Sequence, residues 1–248
     1  MDPVTHTYSI PGVYNVVVFG SVEQWTNSLI PLQQRSKLID VIQFGKIGLK
    51  WLNFYNNESI TTFSALDTPD TTITDMSLMF REAPFANPNV SKWDVSNVTN
   101  MIEMFLGATS ANPDVSKWDV SNVTSMNAMF LDATNANPNV SDWDVSNVSD
   151  MDGMFGNAES ANPDISSWRP TTLVVVDEFM QNSAFDQSNY NKALIMFNTH
   201  TTVNGATWSA PTANNGNTLG SVNLTGVGLP DATAAYTNLD GPRSWTIL

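Results

Sequence analysis

The chain has 248 residues, 42% hydrophobic and only 14% charged, so its polarity rests on Asn, Thr and Ser rather than on ions; it is long enough to bury a sizeable core in one or two domains. A formal net charge of -14, from 10 Lys plus Arg against 24 Asp plus Glu, repels phosphate backbones and argues against nucleic-acid binding. Cysteine is absent and His6 and His200 are the only histidines, which excludes disulfides, thiol catalysis and zinc sites built on Cys, and leaves no histidine-rich metal site.

Residues 1–70 read as a β-rich N-terminal cap. Met1 to Thr5 shows no basic region or apolar run of a secretory signal, and no stretch approaches the length of a membrane span, so membrane insertion is not expected. Pro11-Gly12 and the run Val13–Phe19 predict a hairpin, and Leu38–Phe44 a further strand. Trp51, Phe54 and Tyr55 supply aromatic bulk for the next element to stack against.

Residues 71–185 are dominated by a pattern that recurs every 25 residues. Asn87-Pro88-Asn89-Val90-Ser91-Lys92-Trp93-Asp94-Val95-Ser96-Asn97-Val98-Thr99 returns at Asn112 and Asn137, and a fourth copy from Asn162 changes after Trp168. The aligned columns are Trp93, Trp118, Trp143 and Trp168; Met101, Met126 and Met151; Met104, Met129 and Met154; and Phe105, Phe130 and Phe155. A degenerate first unit carries Met76, Met79 and Phe80 in the same columns. Fixed periodicity of this kind means stacked, nearly identical units that cover one another's apolar side chains. Within a unit, Trp93 and Val95 alternate against Asp94 as in an extended segment, and Met101, Met104 and Phe105 fall on one face of a short helix. Asn100 and Glu103 suit a capping box at its start, and Ala111-Asn112-Pro113 stops it. The expected architecture is therefore an α/β repeat solenoid, each turn a strand-like edge and a short helix. Residues 186–248 complete it as a mixed C-terminal cap, with a helical segment at Lys192–Phe197 and packing points at Trp208, Ala232–Tyr236 and Trp245-Thr246-Ile247.

The units from Trp93 to Phe105, Trp118 to Phe130 and Trp143 to Phe155 resemble the BspA-like leucine-rich-repeat surface proteins with their 25-residue repeat. The resemblance implies a short leucine-rich-repeat-like coil between two caps, display outside the cell, and no catalytic residues. It does not extend to a leader, a wall anchor or a lipid-attachment cysteine, and the expectation shifts toward a virion or other assembled particle, in which the chain would be a capsid decoration, fibre or tail component.

Three outward features could carry chemistry. Asp94, Asp119 and Asp144 form a carboxylate column, read either as a calcium ladder or as acceptors for turn amides. A glycosidase pair needs two different environments, which identical acids in identical units do not offer, so no catalytic residue is assigned. Asn97, Asn122 and Asn147 stand in glycosylation sequons, as do Asn57, Asn89, Asn139 and Asn223, yet Asn also suits tight turns. Lys92 and Lys117 give way to Asp142 and Ser167 in one outward column, and no Lys or Arg occurs from 118 to 168. The possible interaction face is thus Asp94, Asp119, Asp144 and Asp142. The expected function is a non-enzymatic structural component of a surface or virion assembly, a homo-oligomer with protein partners; the alternative is an adhesin that binds a host protein or glycan. No cofactor is expected beyond a possible calcium ion.

Overall fold

The computed structural model describes residues 24–26, 38–41, 43–44, 48–61, 63, 67–173, 176, 178–186, 188–190, 192–193 and 196. Regular secondary structure among them is sparse. Strands β1 (Gln24–Thr26) and β2 (Trp51–Asn53) pair in parallel, Trp25 opposite Leu52, and residues 188–190, 192–193 and 196 are helical. The rest is turns. From β2 onward the chain climbs in layers joined by single parallel bridges, Trp51 to Asp75 to Asn100 to Ser125 to Asp150.

The expected α/β solenoid with a helix in each unit is therefore corrected: residues 101–108 form overlapping turns, not a helix. Met104 N–H donates to the Met101 carbonyl, Leu106 to Glu103 and Ala108 to Phe105. Glu103 and Gly107, at the third positions of the first and last of these turns, have φ of 54° and 68°, the left-handed geometry that a type II turn requires and that ends a right-handed helix. The same two positions are left-handed in each layer after the first: Leu78 and Glu82, Ala128 and Asp132, Gly153 and Asn157, Glu178 and Asn182. So short a helix is marginal by itself, and these N–H groups find acceptors in the neighbouring layer instead. Met101, Glu103, Phe105 and Gly107 donate to the carbonyls of Ser125, Asn127, Met129 and Leu131. Asn100 caps no helix; its Oδ1 accepts the Ile102 N–H two residues on, at 3.1 Å.

The extended half-unit also departs from expectation, because side chains capture its backbone donors. Asn89 Oδ1 accepts from Ser91 N–H, and Asp94 Oδ1 from Ser96 N–H, both two residues ahead, the local bond by which Asn and Asp compete with a ladder. Trp93 N–H turns back to the Val90 carbonyl and Val98 N–H to that of Val95. No strand survives there. Of the N-terminal cap, the strand expected at Leu38–Phe44 reduces to a bridge position at Asp40. The hairpin expected at Val13–Phe19 lies outside the described residues, as do Trp208, Ala232–Tyr236 and Trp245-Thr246-Ile247.

The column is held together by its apolar rows. Trp93, Trp118, Trp143 and Trp168 are buried, as are Met101, Met104, Met126, Met129, Met151, Met154, Phe105, Phe130 and Phe155. The phenyl rings stack 5.2 to 5.6 Å apart from Phe80 through Phe155, and Trp118, Trp143 and Trp168 lie parallel within 2°. A fully buried Met or Phe is worth about 1.5–3 kcal/mol, against about 0.5–1.5 kcal/mol net for a hydrogen bond, so these rows dominate each layer. Polar ladders then set the register. Trp118, Trp143 and Trp168 Nε1–H donate to the carbonyls of Val90, Val115 and Val140, one layer back. Asn112, Asn137 and Asn162 N–H donate to the side-chain oxygen of the asparagine 25 residues earlier.

Rings turned on edge close both ends of the stack. Phe44 meets Trp93 and Phe63 meets Phe80 at interplanar angles of 87° and 86°; Phe179 meets Phe155 at 85°. Beyond Phe179 the helical residues bury Tyr190, Ala193 and Met196, and Lys192 Nζ reaches Asp164 Oδ2 at 2.7 Å. No helix among the described residues is long and apolar enough to cross a membrane.

Candidate interaction face

Two outward surfaces follow from this architecture. The turn face carries the half-units that repeat almost unchanged; the ribbon face carries residues 76–82, 101–107, 126–132 and 151–157, whose Met and Phe point inward.

On the turn face, Asp94, Asp119, Asp144 and Asp142 are all exposed. Asp94 and Asp119 each accept from a serine hydroxyl and amide two residues on, Ser96 and Ser121, and Asp144 accepts the Ser146 N–H. The Ser96 hydroxyl, then its amide, hold the Asp94 carboxyl below the ordinary range, and Ser146 does the same for Asp144, with slight burial opposing. Asp164 falls to about 2, chiefly through its bond to Lys192. These carboxylates fasten their own turns. They also stand one layer apart, and no three carboxylates or imidazoles converge to hold a metal among the described residues, so the calcium ladder finds no convergent ligand set. The sequon asparagines serve the stack as well: the Nδ2 groups of Asn97, Asn122 and Asn147 donate to the carbonyls of Thr71, Ser96 and Ser121, and Asn57 is fully buried.

The ribbon face is the part that sequence reasoning missed. The positions between its Met and Phe columns change at nearly every layer while the inward Met, Met and Phe repeat, and Ala128, Gly153 and Gly156 among them are buried. Ser77, Ile102, Asn127 and Asp152 share one column; Leu78, Glu103, Ala128 and Gly153 a second; Arg81, Leu106, Leu131 and Gly156 a third. Arg81 sits 5.4 Å above the Tyr55 ring and is ion-paired with Glu103. Glu82 leans over Gly107, where a Cβ would lie 2.9 Å from its Oε2, and Leu131 leans over Gly156, with Cδ1 2.8 Å from the position a Cβ would take. The space over Gly153 is open to 4 Å. The signal was present in the repeat alignment as variation in these columns, beside that of the Lys92, Lys117, Asp142 and Ser167 column on the turn face; reading the segment as a helix hid which residues share a face.

The model of a family described as Mycoplasma protein of unknown function, DUF285, matches residues 52–168 and 108–214. No curated protein and no solved structure matches the chain. The matched spans together cover more than half of the sequence, and they contain the units on which the resemblance to BspA-like leucine-rich-repeat proteins rested. That resemblance is corrected by this match, and the turn-built layers agree in lacking the strand and helix of such repeats. The labels drawn from it, a solenoid and a structural protein of virions, are withdrawn with it, since the matched description states no function.

Proposed function

Since the chain belongs to the DUF285 family of Mycoplasma proteins of unknown function, we propose a function from its geometry alone: a non-enzymatic module that binds a protein partner on its ribbon face, as an adhesin or as a component of a surface assembly. The carrying observation is the contrast between the two faces. The turn face repeats because its residues hold the stack together, Asp and Asn through their turns and Asn97, Asn122 and Asn147 through the layer below. On the ribbon face a ladder of that kind links Asp132, Asn157 and Asn182, but the columns of Ser77, Leu78 and Arg81 differ in residue type from layer to layer. In stacked-repeat proteins such variation on one face commonly goes with partner binding.

The acid column supports a binding role over a hydrolytic one. Asp94 and Asp119 hold the same partners in the same exposed setting, whereas general acid and base need different surroundings. Site-specific photo-crosslinking on intact source material tests the proposal. A cross-linker at Leu106 or Leu131 is expected to yield one defined protein adduct, and one at Asp119 or Asp144 none. Equal adducts from both faces, or none from either, would sink the reading.

A further inference from the structure

We infer that Asn89 and Asn139 are N-glycosylation sites of the folded chain, and that the other described sequons, at Asn57, Asn97, Asn122 and Asn147, are not. Both residues stand on the turn face, so the inference does not depend on the partner proposed for the ribbon face.

Sugar transfer to asparagine is carried out by a separate transferase. It joins Nδ2 to the anomeric carbon of a sugar activated as a diphosphate ester. The bond from that carbon to the diphosphate oxygen breaks, the diphosphate leaves with the electron pair, and Nδ2 gives up one proton. An acceptor in a folded chain must therefore hold Nδ2 toward solvent, with room for a ring beside it.

The direction of the amide meets that need at two sequons. Asn89 Oδ1 accepts the Ser91 N–H at 3.2 Å and the Ser91 hydroxyl at 2.7 Å; Asn139 Oδ1 accepts the same pair from Ser141, at 3.2 and 2.9 Å. A backbone N–H can only donate, so the oxygen is fixed as the inward end of each carboxamide. Nδ2 is then the outward end, both residues are exposed, and no described residue accepts from either nitrogen.

The remaining sequons are committed to the stack. In Asn97, Asn122 and Asn147 the nitrogen is the inward end, donating to the carbonyls of Thr71, Ser96 and Ser121 at 3.1, 2.8 and 2.7 Å. Their sequon hydroxyls, on Thr99, Thr124 and Ser149, donate one layer back as well. Asn57 is fully buried. Spacing sorts them the same way. Asn97, Asn122 and Asn147 occupy consecutive layers, about 4.8 Å apart, closer than a pyranose ring is wide. Asn89 and Asn139 stand two layers apart, about 9.6 Å by the same rise.

The turn itself does not call for the nitrogen. Asp114 and Asp164 hold the same place in the alternate layers. Asp114 Oδ1 accepts the Ser116 N–H and hydroxyl, and Asp164 Oδ1 the Ser166 N–H. An oxygen alone closes the turn, which leaves the amide nitrogen of Asn89 and Asn139 free for chemistry.

Peptide mass spectrometry of the full-length protein from its source is expected to find sugar on Asn89 and Asn139, and none on Asn97, Asn122 or Asn147. In vitro, the folded chain is offered to a soluble sequon-specific N-glycosyltransferase with UDP-glucose. Asn89 and Asn139 are expected to react at least about tenfold faster than Asn97, Asn122 and Asn147, the order set by opening one hydrogen bond. Synthetic peptides of the same segments should lose that preference. The triple change Asn89→Asp, Asn139→Asp, Asp114→Asn keeps every turn acceptor and is expected to move modification to position 114 with an unchanged melting temperature. Bare Asn89 and Asn139 in the source protein, or equal rates across the folded sequons, would overturn the inference. So would a preference that persists in the peptides, or a triple variant that stays unmodified.

Discussion

The left-handed positions are where individual residues work against the fold. A non-glycine residue in that region costs roughly 1–2 kcal/mol, and Leu78, Glu103, Ala128 and Glu178 all adopt it at the place where Gly153 does so freely. The N–H groups of Glu103 and Ala128 are held there by carbonyls of the next layer at 2.8 and 2.7 Å. Ala128→Gly is therefore expected to stabilise the protein by about 0.5–1 kcal/mol after the unfolded-state entropy of glycine is subtracted, seen as a higher urea midpoint. The reverse change, Gly153→Ala, is expected to lower the midpoint by a similar amount. Trp143→Phe keeps much of the ring but removes the Nε1–H that the Val115 carbonyl accepts; since that carbonyl keeps the Trp118 N–H, a loss of about 0.5–1.5 kcal/mol for the bond is expected in the same assay, with the lost packing adding to it. The buried columns were legible in the sequence, because an inward position tolerates little change and Trp, Met and Phe return at each 25-residue step. The strained positions were not, since Leu, Glu and Ala carry no left-handed signature.

For the layer as an element, the spacing of Met101, Met104 and Phe105 was ambiguous in a way that periodicity does not resolve. One helical face and a chain of turns put the same three residues inward. The difference lies in where N–H groups find acceptors, and here that is another layer, 24 residues along. Sequence patterns report the side of an element that is buried far better than the partner of its backbone. Acid stability belongs at this scale as well, because each turn of the other half-unit is closed by a side-chain oxygen. The folded carboxyls of Asp94, Asp114, Asp144 and Asp186 titrate below the ordinary aspartate range, and Asp164 near 2. With folded values depressed, the stabilisation is full above the unfolded value and is lost as pH falls from there through the folded ones. The urea midpoint is expected to stay level from pH 7 to 5 and to drop between about pH 4 and 2. Asp144→Asn keeps the turn acceptor, as Asn139 shows in the neighbouring turn, and should flatten part of that drop. An unchanged slope would remove Asp144 from the account.

At the scale of the whole molecule, a column of nearest-neighbour contacts should shorten without collapsing. Deleting residues 113–137 joins Asn112 to Pro138 in phase, and the product is expected to remain folded with a lower melting temperature and one cooperative transition. Deleting 113–124 breaks the phase and should abolish it, as near-ultraviolet circular dichroism of the tryptophans would report. The direction of the backbone bonds adds a consequence of its own. Along the ribbon, N–H groups at Met76, Leu78, Phe80 and Glu82 all aim forward, toward Asn100, Ile102, Met104 and Leu106; at Thr99, Thr124 and Ser149 they aim backward, to the layer before. The forward bonds outnumber the backward ones in each layer, so the peptide dipoles cancel only in part. As at the tips of an α-helix, the uncancelled remainder falls at the two ends of the stack, and each added layer extends it.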